Sequence, residues 1–96
     1  MGEADGLAPG ATIGNYRIER TLGGGGMGVV YAATEPTLGM RVAIKVLRAA
    51  FAGDAQTVAR FEREARAANQ VRHPAIVEVF AVGKLPDGRP YLVMSL

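Results

Sequence analysis

The chain has 96 residues, 49% of them hydrophobic, enough for one small domain with its own core. The formal charge is only +2, and the arginines are scattered from Arg17 to Arg89 without an interleaved aromatic platform, which excludes a polybasic or base-stacking nucleic-acid binder. There is no cysteine for disulfides or thiolate metal sites, no apolar run of the roughly 18 to 20 residues that span a bilayer, and no basic segment leading into a signal core; these residues read as soluble and cytoplasmic.

Residues 1–15 are rich in Gly, Ala and acid without an apolar period, so they read as a flexible leader, with structure beginning near Tyr16. From Tyr16 to Leu22, residues alternate as in a strand, and Val29 to Ala33 is β-branched and aromatic. The glycine run between them predicts a hairpin turn. Glu35 to Arg41, with Pro36 and Gly39, predicts a loop, and the apolar run Val42 to Leu47, broken only by Lys45, predicts a central strand.

After Gly53 the period changes. Asp54 is placed to cap a helix whose apolar positions Val58, Phe61, Ala65 and Ala68 recur at helical spacing, and His73-Pro74 predicts its end. Ile76 to Val82 and Tyr91 to Leu96 read as two further strands joined by a turn built on Pro86-Asp87-Gly88. The expectation is five strands and one helix.

Glycines 23, 25 and 28 match G-x-G-x-x-G, which dinucleotide-binding folds and protein kinases use with different geometry. In the dinucleotide fold the third glycine opens a helix, whereas here strand-like Val29 to Ala33 follows it. A Walker-type loop fails too, because no glycine precedes a Lys-Ser or Lys-Thr pair. A glycine backbone can lie directly on a polyphosphate, and Leu22 and Val30 flank it where a flat base could be sandwiched.

Lys45 is one of two lysines and interrupts an apolar strand, so its ammonium must snorkel to solvent or meet an anion. Glu64 and Glu62 sit at opposite margins of the apolar helix face, and periodicity does not choose between them. His73, the sole histidine, reads as a helix-end residue rather than a base or metal ligand, and Ser95 has no companion base.

Together, L-G-x-G-x-x-G-x-V, V-A-I-K, F-E-R-E-A, H-P-A-I-V and Y-L-V-M resemble the amino-terminal lobe of a protein kinase, most closely the eukaryotic-like serine/threonine kinases of bacteria. The resemblance covers residues 16–96 and implies an α+β kinase N-lobe, a five-stranded antiparallel sheet with one large helix. It implies that Gly23, Gly24, Gly25, Gly26, Met27 and Gly28 cover the phosphates of ATP, that Lys45 holds the α and β phosphates, and that Glu64 is its ion-pair partner. Leu22, Val30, Ala43 and Met94 would enclose adenine, with Met94 as gatekeeper and the Ser95 carbonyl as a hinge acceptor. Ala68 and Val79 would belong to the regulatory stack of side chains.

The family's H-R-D loop, D-F-G metal ligand and activation segment belong to a second lobe and are not found in these residues, so Mg2+ ligands are expected elsewhere. The implied parent activity is transfer of the ATP γ-phosphate to protein Ser or Thr, with the isolated 96 residues inactive. The competing reading is a non-catalytic kinase-like binding or regulatory module. Implied partners are ATP, a C-terminal kinase lobe and a protein substrate.

Overall fold

The computed structural model describes residues 7–70 and 79–96. Six strands and one long helix occur among them: β1 (Thr12–Ile13), β2 (Tyr16–Gly24), β3 (Gly28–Glu35), β4 (Met40–Leu47), α1 (Ala55–Gln70), β5 (Val79–Lys84) and β6 (Pro90–Ser95). The strands make one sheet in the order β1-β2-β3-β4-β6-β5, with every neighbouring pair antiparallel.

The sixth strand corrects the expected count of five, and it lies inside the stretch read as a flexible leader. Thr12 pairs with Arg17 and Ile13 with Tyr16, across a turn in which Gly14 adopts φ 56. Two further backbone bonds, Gly10 N–H to the Ile18 carbonyl and Ile18 N–H to the Ala11 carbonyl, continue the pairing. One buried side chain, Ile13, anchors the segment, while Leu7 and Ala11 pack at the edge of the core. Main-chain pairing with a single apolar anchor leaves almost no compositional trace, which is why periodicity misses it.

The expected central strand is two residues longer at its start than the apolar run, because Met40 and Arg41 pair with Glu35 and Thr34. Alternation along β4 divides the core. Val42, Ile44 and Val46 join Ile13, Ile18, Val29, Tyr31 and Val93 on one face of the sheet. Leu47 joins Phe61, Val79 and Leu92 in a second cluster, against which Met27, Val58 and Met94 pack.

Helix α1 begins as the sequence predicts. The Asp54 carboxylate accepts hydrogen bonds from the N–H groups of Gln56 and Thr57 and from the Thr57 hydroxyl, satisfying donors that the first helical turn leaves open. Phe61, 1% exposed, is the side chain that fixes the helix to the sheet. The predicted helix stop at His73-Pro74 and the strand start at Ile76 lie outside the described residues. The turn between β5 and β6 closes through Gly88 N–H to the Leu85 carbonyl, with Gly88 at φ 92 where a residue bearing Cβ would be strained.

Candidate nucleotide site

Directly opposed residues of antiparallel strands share a face, so the register decides which of the expected site residues can act together. Val30 opposes Lys45, and Lys45 opposes Leu92; Ala43 opposes both Ala32 and Met94. Val30, Ala43, Lys45 and Met94 therefore line one face of three adjacent strands. Gly23 opposes Val30 and Gly28 opposes Leu47, which puts both glycines on that same face. Leu22 occupies a break in the β2–β3 register between Thr21 and Gly23 and is 40% exposed, available at the rim rather than committed to the core.

The turn linking β2 to β3 is closed by Gly25 N–H donating to the Gly28 carbonyl. None of glycines 23 to 28 has a positive φ, so left-handed backbone is not the reason for the run. Space explains two of them. A Cβ on Gly28 would stand 3.0 Å from the Val46 carbonyl oxygen and 3.2 Å from Cε of Lys45, because the lysine stem lies across that residue. A Cβ on Gly24 would stand 2.9 Å from a terminal guanidinium nitrogen of Arg48. A Cβ on Gly23, Gly25 or Gly26 would meet nothing within 4 Å, so the side-chain directions there are open to whatever approaches.

Lys45 is half-buried, and its ammonium lies 5.9 Å from the centre of the Phe61 ring, a cation–π distance. The structure does not bring Lys45 and Glu64 together. Glu64 instead pairs with Arg60 one turn back along the helix at 3.8 Å, with side chains 70% and 55% exposed for Arg60 and Glu64. Glu62 is the more buried of the two candidate glutamates. Met94 is half-buried against the Phe61 cluster together with Met27, so the residue read as gatekeeper and the tip of the glycine turn meet the same apolar group. Ser95 ends β6 opposite Val42. Of the two residues assigned to the regulatory stack, Val79 is buried beside Phe61, and the Ala68 side chain lies outside the described residues.

Two arginines escaped the sequence reading. Arg48 donates its Nε–H to the Gly25 carbonyl at 3.0 Å and its backbone N–H to the Met27 carbonyl at 2.9 Å, bracketing the turn. Arg89 is 4% exposed; it donates to the Leu47 carbonyl at the end of β4 and to the Asp87 carboxylate. Its backbone N–H, with that guanidinium, holds the Asp87 carboxyl below the ordinary range. Neither arginine belongs to a recognisable motif, so only three-dimensional proximity exposes them.

A protein kinase domain matches residues 16–96, the span from β2 to the end of the chain. The chain belongs to the protein kinase family. Among curated relatives, the serine/threonine-protein kinase Pkn1 of Myxococcus xanthus is 44% identical over 93 residues, covering 97% of this chain and 13% of its own length. PrkC of Bacillus subtilis is 44% identical over 82 residues, covering 85% of the chain and 12% of the relative. The crystal structure of the Mycobacterium tuberculosis PknI kinase domain superposes with a TM-score of 0.71 at 36% identity, over 94% of this chain and 36% of that one. An apo form of PpkA-294, at 23% identity, shares the fold with a TM-score of 0.81. The chain thus corresponds to the amino-terminal lobe of a bacterial serine/threonine kinase and spans a small part of the kinases it matches. Among the described residues no group of His, Asp or Glu is placed to hold a metal ion, and no helix is long and apolar enough to cross a membrane.

Proposed function

We propose that this lobe binds ATP and that the kinase to which it corresponds transfers the γ-phosphate to a serine or threonine hydroxyl of a protein. The observation that carries the reading is the stem of Lys45 lying across Gly28 beneath an open glycine backbone, on the face that also holds Val30, Ala43 and Met94. Bare amides and one ammonium suit a polyphosphate, and the apolar residues beside them suit a flat base.

In this reading Gly23 to Gly28 cover the phosphates and offer the N–H donors that the turn does not use itself, Lys45 neutralises the α and β phosphates, and Leu22, Val30, Ala43 and Met94 exclude water from the base. The Ser95 carbonyl accepts from the exocyclic amine of adenine. Mg2+, when bound, supplies charge neutralisation between phosphates through ligands contributed by a carboxyl-terminal lobe. Lys45 and Glu64 pair only after α1 moves, so the arrangement described above is an off position of the helix.

A second reading, a non-catalytic kinase-like module, is favoured by one observation, the engagement of Glu64 with Arg60 in place of Lys45. Calorimetric titration with Mg-ATP, alongside phosphate transfer from γ-labelled ATP to a mixed protein substrate, separates the two. Binding abolished by Lys45→Met together with labelled product supports the kinase. Binding without transfer by the complete protein supports the module, and no binding rejects a nucleotide site.

A further inference from the structure

Just past the end of β4, three residues after Lys45, lies a second cation that touches the glycine turn, and it does so from the other side. Arg48 keeps extended backbone (φ −65, ψ 145) one residue beyond β4, so alternation places it with Val42, Ile44 and Val46, opposite in face to Lys45. Gly24 gives independent confirmation of that side: it opposes Val29, a member of the same core face, and it is the Gly24 Cβ position that the Arg48 guanidinium occupies at 2.9 Å. The Nε–H of Arg48 reaches the Gly25 carbonyl at 3.0 Å.

That single bond fixes more than one atom. The peptide unit between Gly25 and Gly26 is trans, as are all those among the described residues, so its carbonyl and its N–H point in opposite directions. With the Gly25 carbonyl held on the guanidinium, the Gly26 N–H is directed away from Arg48, toward the face of Lys45. Without that hold the peptide has more freedom to rotate, since neither residue carries a Cβ and one built at either position would meet nothing within 4 Å.

We propose that Arg48 is a positioning residue for the phosphate lid: it clamps the Gly25–Gly26 peptide from the side opposite Lys45 so that the Gly26 amide faces the phosphates of a bound nucleoside triphosphate. This rests on the nucleotide reading given above and adds to it a residue outside the glycine motif and the lysine strand motif. Arg48 itself touches no ligand. Its effect is selective for phosphate, because the base lies against Val30, Ala43 and Met94 and not against the turn.

The test uses the complete protein with Mg-ATP and adenosine as probes, and amide hydrogen exchange over residues 24–28. Arg48→Ala is expected to weaken Mg-ATP about 2- to 10-fold, the range for one lost hydrogen bond, to leave adenosine unchanged and to speed exchange in the turn. Arg48→Lys, which retains a cationic donor, is expected to recover part of the loss. Gly24→Ala displaces the guanidinium without removing it and is expected to reproduce the phosphate-selective defect, which guards against an Arg48→Ala protein that fails to fold. Equal Mg-ATP affinity and equal exchange in Arg48→Ala and wild type would overturn the proposal, as would parallel losses for ATP and adenosine. A wild-type protein that binds neither probe rejects the nucleotide reading itself, a result distinct from those two.

Discussion

The Lys45 ammonium faces the Phe61 ring at 5.9 Å, while the carboxylate expected to hold it, Glu64, is engaged with Arg60. Phe61 thereby has two tasks, sealing the helix onto Leu47, Val79 and Leu92 and standing beside the lysine. Phe61→Ala is expected to destabilise the lobe by about 3–5 kcal/mol through cavity formation. Glu64→Gln, which breaks only an exposed pair, is expected to cost less than about 1 kcal/mol. Urea denaturation of the two variants measures the contrast; a Glu64→Gln midpoint as low as that of Phe61→Ala would contradict the described pairing.

Gly28 and Gly26 belong to the same run yet differ in what surrounds them. Gly28→Ala drives a methyl group into the Val46 carbonyl and the Lys45 stem, so we expect a loss of about 1–3 kcal/mol and a displaced lysine with weakened Mg-ATP binding. Gly26→Ala meets nothing within 4 Å and leaves stability unchanged within about 0.5 kcal/mol. Thermal melts of the pair, with and without Mg-ATP, read both effects.

Arg89 ties the β5–β6 turn to the last residue of the lysine-bearing strand. Truncation to alanine strands the Leu47 carbonyl and removes the partner of Asp87, so Arg89→Ala is expected to lose roughly 2–4 kcal/mol. Arg89→Lys restores the charge but not the forked geometry and is expected to recover less than half of the loss in urea denaturation.

The Asp54 cap gives a pH signature. The Thr57 hydroxyl, then the Thr57 backbone N–H and, more weakly, that of Gln56, hold its carboxyl below the ordinary 3.8 against an opposing effect of desolvation. The folded-state value is the lower one, so the bonded carboxylate contributes stability above the unfolded value and loses it as pH falls through the folded value. Asp54→Ala is therefore expected to lower the melting temperature at pH 7, with the gap to wild type closing below pH 3.8. Asp54→Asn, which keeps the cap but cannot titrate, is expected to show no such closure. Melting curves from pH 7 downward decide it.

Much of this lobe could be read from residues alone, because its strongest signals are local. The helix cap at Asp54, the turn at Gly88 and the strand holding Lys45 all follow from near neighbours in the chain. The short strand at Thr12–Ile13 did not, since main-chain pairing writes nothing into composition. Nor did the separation of Lys45 from Glu64: periodicity places a carboxylate on a helix margin, but the helix's position relative to the sheet is set by how Phe61 seats among residues distant in sequence. Arg48 and Arg89 were invisible for a related reason. Each acts on a carbonyl, and any residue offers one.

Pairing between β3 and β4 runs unbroken from Gly28↔Leu47 to Glu35↔Met40, whereas β2 slips at two points along its length. An insertion or deletion of one residue between Val42 and Lys45 would exchange the two cations across the sheet, sending the ammonium into the hydrocarbon side and the guanidinium toward the nucleotide. Along β4 a replacement leaves each cation on its own side, whereas a change of length does not.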